Sequence, residues 1–139
     1  MRILVSGNAG AGKSSLGKRL AEKYDLSLYG LDKIVWKESW VLEGITRDGL
    51  KEADIIYFLD IHPIRCAYNV IVRFLKNGPG SRPELPNDCP EYIGFLKALK
   101  INFIFHKVTK PWLLDENLRN PSAKFVQIKN YKELNKINF

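Results

Sequence analysis

The sequence of 139 residues lacks several features that mark specialised classes of protein. Its only two cysteines, Cys66 and Cys89, have no CxxC spacing, so they indicate neither a disulfide framework nor a zinc site. Apolar residues never continue for the roughly 20 positions that a membrane helix requires, and the first residues, MRILVSG, lack the layout of a secretory signal. We therefore expect one globular domain over residues 1–139, located in the cytoplasm and without a membrane partner.

Acidic residues are scarce in the second half of the chain. Residues 1–60 carry nine Lys/Arg and nine Asp/Glu, whereas residues 61–139 carry thirteen and six, so the formal net charge of +7 arises entirely there. A basic surface suits a polyanionic partner, either nucleotide phosphates or nucleic acid, although it can also be an ordinary solvated surface. Like charges never form the runs of about five residues that mark basic tails.

Short apolar runs alternate with amphipathic stretches. Strands are predicted at residues 2–6, 26–31, 40–42, 53–60 and 124–128. Helices are predicted at residues 14–24, 63–76, 91 to about 105, and 131–137, with a broken helical stretch at 111–118. Residues 77–90 contain four prolines and two glycines, which predicts a loop or lid. The alternation favours an α/β fold with a mainly parallel sheet.

The segment GNAGAGKSS follows the first predicted strand, and its first eight residues match the pattern G-x-x-x-x-G-K-S. Its glycines permit a tight turn, its N–H groups form an anion nest, and the next helix adds its positive end. The lysine of such a loop, here Lys13, reaches the β- and γ-phosphates, and the hydroxyl of Ser14 is placed for Mg²⁺. The loop predicts nucleoside triphosphate binding by Gly7, Asn8, Ala9, Gly10, Ala11, Gly12, Lys13, Ser14 and Ser15.

With these residues in place, the chain resembles P-loop kinases of the adenylate- and shikimate-kinase-like branch, and within it small bacterial topology modulation proteins. The likeness rests on residues 1–24 and on the segments LYGLDKIVWK, WVLEG, ADIIYFLDIHPIRC, SRPELPNDCPE and FVQIKNYKEL. LDKIVW and the RP…CPE segment are more specific than the loop, which a whole superfamily shares. The resemblance implies a parallel sheet in the order 2-3-1-4-5, ATP with Mg²⁺ at the loop, and a lid with arginines at about residues 77–90.

The resemblance also implies roles for individual residues. Asp32 would lie near Mg²⁺ and accept the proton of the acceptor hydroxyl, and Asp60 would hold a Mg²⁺-bound water. Arg73 and Arg82 would neutralise charge on the phosphoryl group during transfer. Asn130, together with Tyr131, matches a turn that lies against the base. The expected catalytic residues are Lys13, Asp32, Arg73 and Arg82, and the expected metal ligands are Ser14, Asp32 and Asp60.

The interval between the second and third predicted strands is short. A crossover between parallel strands usually needs at least about 10–12 residues, whereas residues 32–39 provide eight. Three interpretations remain open. The third strand lies outside the sheet, or the acceptor site is reduced, or the acceptor is held by other residues such as Trp36 and Trp40. Two aromatic residues at this spacing are more often part of the core.

The sequence therefore predicts an ATP-dependent phosphotransferase whose acceptor is a small nucleoside or nucleotide. The alternative is a nucleotide-binding protein or weak ATPase with a reduced acceptor site, associated with nucleic acid through its basic half. An NKxD-type guanine motif is absent from the sequence, which favours ATP over GTP. His62 and His106 have no neighbours at metal-ligand spacing, so we expect structural roles for them.

Overall fold

The computed structural model describes residues 1–30, 39–77 and 91–137. The strands in these ranges are β1 (Arg2–Gly7), β2 (Leu28–Gly30), β3 (Trp40–Glu43), β4 (Ile55–Leu59) and β5 (Lys124–Ile128). The helices are α1 (Lys13–Tyr24), α2 (Arg47–Glu52), α3 (Pro63–Asn77), α4 (Glu91–Ile104), α5 (Lys110–Leu113) and α6 (Tyr131–Lys136). A π-helical turn, Phe105–Thr109, joins α4 to α5, and a 3-10 turn, Glu116–Leu118, follows.

The strands form one parallel sheet in the order β2-β3-β1-β4-β5, as predicted. β3 lies inside the sheet, since Arg2 of β1 pairs with Trp40 and Gly30 of β2 pairs with Glu43. The interpretation that placed the third strand outside the sheet is therefore wrong. Its apolar residues explain the position, because Trp40 and Val41 point to opposite faces and both are buried.

Two apolar cores lie on the two faces of the sheet. On one face, Leu16 and Leu20 of α1 and Leu134 of α6 pack against alternate residues of β1, including Ile3 and Val5. On the other face, the core contains the following buried side chains: Leu4, Trp40, Leu42, Leu50, Ala53, Ile56, Phe58, Phe105 and Leu113. The predicted α/β fold is therefore confirmed as a three-layer arrangement, with the carboxyl ends of the strands along one edge.

Helix α2 is absent from the sequence-based prediction. Thr46 caps it, because the hydroxyl oxygen accepts a hydrogen bond from the backbone N–H of Gly49 at 2.9 Å. Gly49 lies inside this short helix, where its low helix propensity hides the pattern. A Cβ at this position would lie 2.6 Å from the Thr46 hydroxyl, so close packing explains the glycine.

The helices within the described ranges are all too short or too polar to span a bilayer.

Candidate functional site

The phosphate loop joins β1 to α1 at the carboxyl edge of the sheet. Gly10 and Gly12 have φ angles of +78° and +96°, which residues other than glycine rarely adopt. A Cβ at Gly10 would collide with the carbonyl oxygen of Cys66 and lie 2.9 Å from Cγ2 of Val70. The first turns of α3 therefore pack directly against the loop, and the loop has the strand before it and the helix after it that the motif requires.

Lys13 begins α1 and folds back over the loop. Its Nζ donates a hydrogen bond to the carbonyl oxygen of Asn8 at 2.8 Å. Burial lowers the pKa of Lys13, while the charge of Glu43 raises it and the charge of Arg73 lowers it. A partly buried ammonium is stabilised by an anion placed beside it, so this arrangement suits a phosphate group.

Ser14 lies next to an acidic side chain that the sequence analysis did not select. The hydroxyl of Ser14 donates to Oε1 of Glu43 at 2.7 Å. Glu43 ends β3, and β3 pairs with β1, so the sheet order brings this carboxylate to the loop. In the sequence, Glu43 is marked only as the acidic residue that follows the apolar residues of WVLEG. Its role at the loop could be inferred only by knowing that β3 lies beside β1.

The oxygen atoms of Ser14 and Glu43 match the chemistry that Mg²⁺ prefers, in which one or two carboxylates combine with substrate phosphates. Within residues 1–30, 39–77 and 91–137, no three His, Cys, Asp or Glu side chains form a group that could hold a metal ion. A Mg²⁺ ion bound here would therefore need further ligands from a nucleotide or from water.

Asp60 follows β4 and is almost fully buried. Its Oδ2 atom accepts a hydrogen bond from Nε2 of Gln127 and pairs with Nζ of Lys110, both at 2.8 Å. These contacts tie the start of α5 to the carboxyl edge of the sheet. The role of Asp60 at Mg²⁺ stays a prediction, and the ion pair with Lys110 gives it a structural role as well.

Of the other predicted site residues, the structure describes Arg73 and Trp40 but not Asp32, Arg82 or Trp36. The pKa of Lys13 responds to the charge of Arg73 on α3, which places that guanidinium in the electrostatic surroundings of the loop. Its role in phosphoryl transfer stays a prediction. Asp32, Arg82 and Trp36 lie outside the described residues, as do residues 78–90 of the predicted lid. Trp40 is buried in the core, which supports core packing rather than contact with an acceptor.

Asn130 and Tyr131 have definite contacts at the start of α6. Asn130 caps this helix, because its Oδ1 accepts from the backbone N–H of Glu133 at 2.9 Å. The Tyr131 hydroxyl lies 3.3 Å from the carbonyl oxygen of Ala11 and accepts from Nδ2 of Asn69 at 2.8 Å. Burial raises the pKa of Tyr131, which keeps the hydroxyl protonated as a donor. Contact of Asn130 with a base stays a prediction.

Cys66 and His62 have structural positions near the start of α3. Cys66 is buried, its thiol donates to the carbonyl oxygen of Ile61 at 3.6 Å, and burial raises its pKa to about 11. A thiol with such a high pKa is a poor nucleophile at neutral pH. Nδ1 of His62 accepts from the backbone N–H of Ile64 at 3.2 Å, so this side chain closes the first turn of α3.

Comparison with protein families and with curated proteins finds no match. Among solved structures, the chain is similar to an uncharacterized protein from Eubacterium ventriosum ATCC 27560, with 13% identity, 93% of this chain and 89% of that chain covered, and a TM-score of 0.51. It also matches shikimate kinase from Bacteroides thetaiotaomicron, with 16% identity, 91% and 84% covered and a TM-score of 0.48. Deoxyadenosine kinase from M. mycoides matches with 14% identity, 92% and 90% covered and a TM-score of 0.48.

At 13% identity the first likeness shows the fold alone, and the two kinase scores, both below 0.5, carry no further inference. The sheet order β2-β3-β1-β4-β5 and the phosphate loop between β1 and α1 belong to the chain itself. Together they give it a three-layer P-loop α/β fold, with ligands expected at the carboxyl edge of the sheet.

Proposed function

We propose that this chain is an ATP-dependent phosphotransferase of the adenylate- and shikimate-kinase-like branch, similar to small bacterial topology modulation proteins. It transfers the γ-phosphate of ATP to a hydroxyl or phosphate oxygen of a small nucleoside or nucleotide. The observation that carries the proposal is the convergence of Lys13, Ser14 and Glu43 on a glycine-rich loop at the start of a helix. Cationic, hydroxyl and carboxylate groups in this arrangement suit a nucleoside triphosphate with its metal ion.

In the proposed reaction, an acceptor oxygen forms a bond to the γ-phosphorus while the bond from that phosphorus to the β–γ bridging oxygen breaks, and ADP leaves. Lys13 exchanges the carbonyl of Asn8 for phosphate oxygens. Asp32 takes the proton of the acceptor. Arg73 and Arg82 stabilise the charge that spreads over the transferred group.

Ser14 and Glu43 would hold Mg²⁺, with Asp32 and Asp60 as the further ligands proposed from the sequence. When bound, Mg²⁺ neutralises phosphate charge. Asn130 would lie against the base. The roles of Asp32, Asp60 and Asn130 rest on the resemblance, and that of Glu43 rests on its contact with Ser14.

The test is ATP turnover by the purified protein with Mg²⁺, with and without a panel of nucleosides, nucleoside monophosphates and a 5′-hydroxyl oligonucleotide. We expect at least one acceptor to raise ADP production above the rate of the protein alone. Lys13→Ala should lose that stimulation. Equal ADP production with every acceptor would contradict the kinase proposal.

One observation favours a second candidate, a nucleotide-binding protein or weak ATPase with a reduced acceptor site. β2 and β3 are paired in parallel, yet only residues 31–39 connect them. A connection this short leaves little room for a separate acceptor-binding element. This candidate predicts tight ATP binding that depends on Lys13, without stimulation by any acceptor.

The second candidate includes association with nucleic acid through the basic half of the chain. Binding to a DNA or RNA oligonucleotide at 50 and at 200 mM salt tests this part, because contacts with phosphates weaken steeply as salt rises. Salt-independent binding, or none at the lower salt concentration, would remove the argument from the charge of the basic half.

A further inference from the structure

The phosphate loop is held from outside through its carbonyl groups. Four successive carbonyl oxygens, those of residues 8 to 11, each lie within hydrogen-bond distance of a donor on a side chain. The donors, in order along the loop, are Lys13 at 2.8 Å, Asn102 at 3.3 Å, Asn69 at 3.0 Å and Tyr131 at 3.3 Å. Asn69 belongs to α3, Asn102 to α4 and Tyr131 to α6, so three helices remote in sequence hold the loop.

The direction of a carbonyl group fixes the direction of the N–H group in the same peptide unit. In a planar trans peptide the two point to opposite sides. Anchoring the carbonyls of Ala9 and Ala11 to outside helices therefore turns the N–H groups of Gly10 and Gly12 toward the opposite side of the loop. These anchors preserve the orientation in which the loop can bind an anion.

Asn102 is the donor whose connection to the loop runs in both directions. The side chains of Asn8 and Asn102 are both fully buried. Nδ2 of Asn102 donates to the carbonyl oxygen of Ala9 at 3.3 Å, and Nδ2 of Asn8 donates to the carbonyl oxygen of Asn102 at 3.2 Å. Each residue thus uses its side chain to hold the other's segment, and the pair forms a two-point connection between α4 and the loop.

The local structure of α4 suits this connection. The π-helical turn Phe105–Thr109 follows shortly after Asn102. In a π-helical turn each N–H pairs with the carbonyl five residues earlier instead of four, and such turns are frequent at functional sites. Phe105, the first residue of the turn, is buried against Phe58 of β4, so the turn itself is fixed to the sheet.

We propose that Asn102 is a positioning residue that couples α4 to nucleotide binding. Its amide holds the loop in its anion-binding shape, and a bound nucleotide in turn holds α4. The coupling is reciprocal, as linkage requires. α4 begins at Glu91, directly after the segment that the sequence predicts to be a lid. The identity of the ligand rests on the proposed function, whereas the effect of Asn102 on loop shape does not.

The test compares three variants with the parent protein. Asn102→Leu removes the amide at similar volume. Asn102→Asp keeps the shape but replaces the NH₂ donor with an oxygen that faces the carbonyl of Ala9. Leu113→Ala, at the far end of the same helical segment, is the control, since Leu113 is buried away from the loop and its truncation lowers stability through the core alone.

Calorimetry with ATP and Mg²⁺ supplies the first readout. We expect Asn102→Leu to weaken ATP binding about tenfold, the effect of losing one partly buried hydrogen bond, while Leu113→Ala leaves the Kd unchanged. For Asn102→Asp we expect a larger loss at pH 8 than at pH 6, because a protonated carboxyl can again donate to Ala9. The parent protein, measured at both pH values, corrects for titration of ATP.

Hydrogen exchange supplies the second readout and needs no ligand. Without nucleotide, the amides of residues 9–14 should exchange faster in Asn102→Leu than in Leu113→Ala. With ATP, protection of residues 100–108 should rise in the parent protein and not in Asn102→Leu. Unchanged loop exchange in Asn102→Leu would overturn the proposal, even if the parent protein bound no nucleotide. A parent protein that binds no nucleotide would overturn the proposed function and leave the exchange comparison to decide the role of Asn102.

Discussion

Glu43 gains its importance from its neighbours rather than from any motif. Its carboxylate accepts from the hydroxyl of Ser14, and its charge raises the pKa of Lys13. A single carboxylate thus acts on both residues that the P-loop pattern assigns to phosphate and metal. The contacts of Asp60, by contrast, include an ion pair with Lys110, so these two acids have different local surroundings.

We expect Glu43→Gln to reduce Mg²⁺-dependent ATP turnover at least tenfold, because the variant keeps the shape of the side chain but loses the charge that would help hold the metal. Binding of ATP without Mg²⁺ should stay equal or become tighter, since a negative charge near the phosphates is removed. Turnover and calorimetry measure the two effects. Glu22→Gln, on the exposed side of α1, is the matched control. Equal losses in both variants would rule out a specific role for Glu43.

Cys66 allows a test of burial at the start of α3. Its pKa of about 11, against an ordinary 9.0, leaves about 100-fold less thiolate at pH 8. The sign follows from burial, which disfavours the charged thiolate and so raises the pKa of an acid. In a Cys89→Ser background, we expect alkylation by iodoacetamide at pH 8 to be at least 100-fold slower in the native protein than in urea. Mass spectrometry gives both rates, and a difference below tenfold would contradict the buried position.

Among the elements of the site, the turn between β1 and α1 has backbone angles that favour glycine. We expect Gly10→Ala to destabilise the protein by about 2 kcal/mol or more. The loop would hold the alanine at a positive φ, and its Cβ would collide with α3. It should also weaken ATP binding. Denaturant unfolding and calorimetry measure these effects.

Gly30→Ala is the matched control for Gly10→Ala. Gly30 lies at the exposed end of β2, and a Cβ added there has no atom of the described residues within 4 Å. We expect its free energy of unfolding to remain within about 0.5 kcal/mol of the parent protein. If both glycine variants lost the same stability, the packing of the loop against α3 would not explain the Gly10 result.

The stability of helix α2 should depend on its N-cap residue, Thr46. We expect Thr46→Ala to cost about 1 kcal/mol of unfolding free energy, since the N–H of Gly49 would lose its hydrogen bond. Thr46→Ser, which retains the hydroxyl, should recover most of this loss. Urea unfolding of the three proteins measures the difference. A serine variant as unstable as the alanine variant would point to lost packing rather than to capping.

β4 could be predicted from the sequence because it buries a continuous apolar run, and the loop before α1 because its glycine spacing matches a motif. α2 could not, because Gly49 lowers its helix propensity and serves a packing contact that only the folded chain defines. The contact of the Glu43 carboxylate with Ser14 and the anchors Asn69 and Asn102 could not be predicted either. Their roles depend on which strands are neighbours and on contacts between residues as far apart as positions 9 and 102.

For the whole molecule, the proposed function predicts a stability that depends on nucleotide concentration. A ligand that binds only the folded chain adds about 2.7 kcal/mol at 100 times its Kd. We expect Mg²⁺ and ATP together to raise the Tm of the parent protein by several degrees, and to leave Lys13→Ala unchanged. Thermal unfolding at increasing ATP concentrations measures this. An equal shift for the Lys13→Ala variant would indicate nucleotide binding outside the phosphate loop.

The anchors of the phosphate loop also set the order in which the chain can become functional. The loop lies within the first fifteen residues, but the side chains that hold its carbonyls include Asn102 and Tyr131, up to 120 positions further along. Contacts of such long separation form late, because the intervening chain must first be ordered. A newly made chain therefore carries the phosphate-binding motif from the start, yet gains a shaped loop only after its last helix has docked. Under the proposed function, nucleotide therefore binds only to the completed fold.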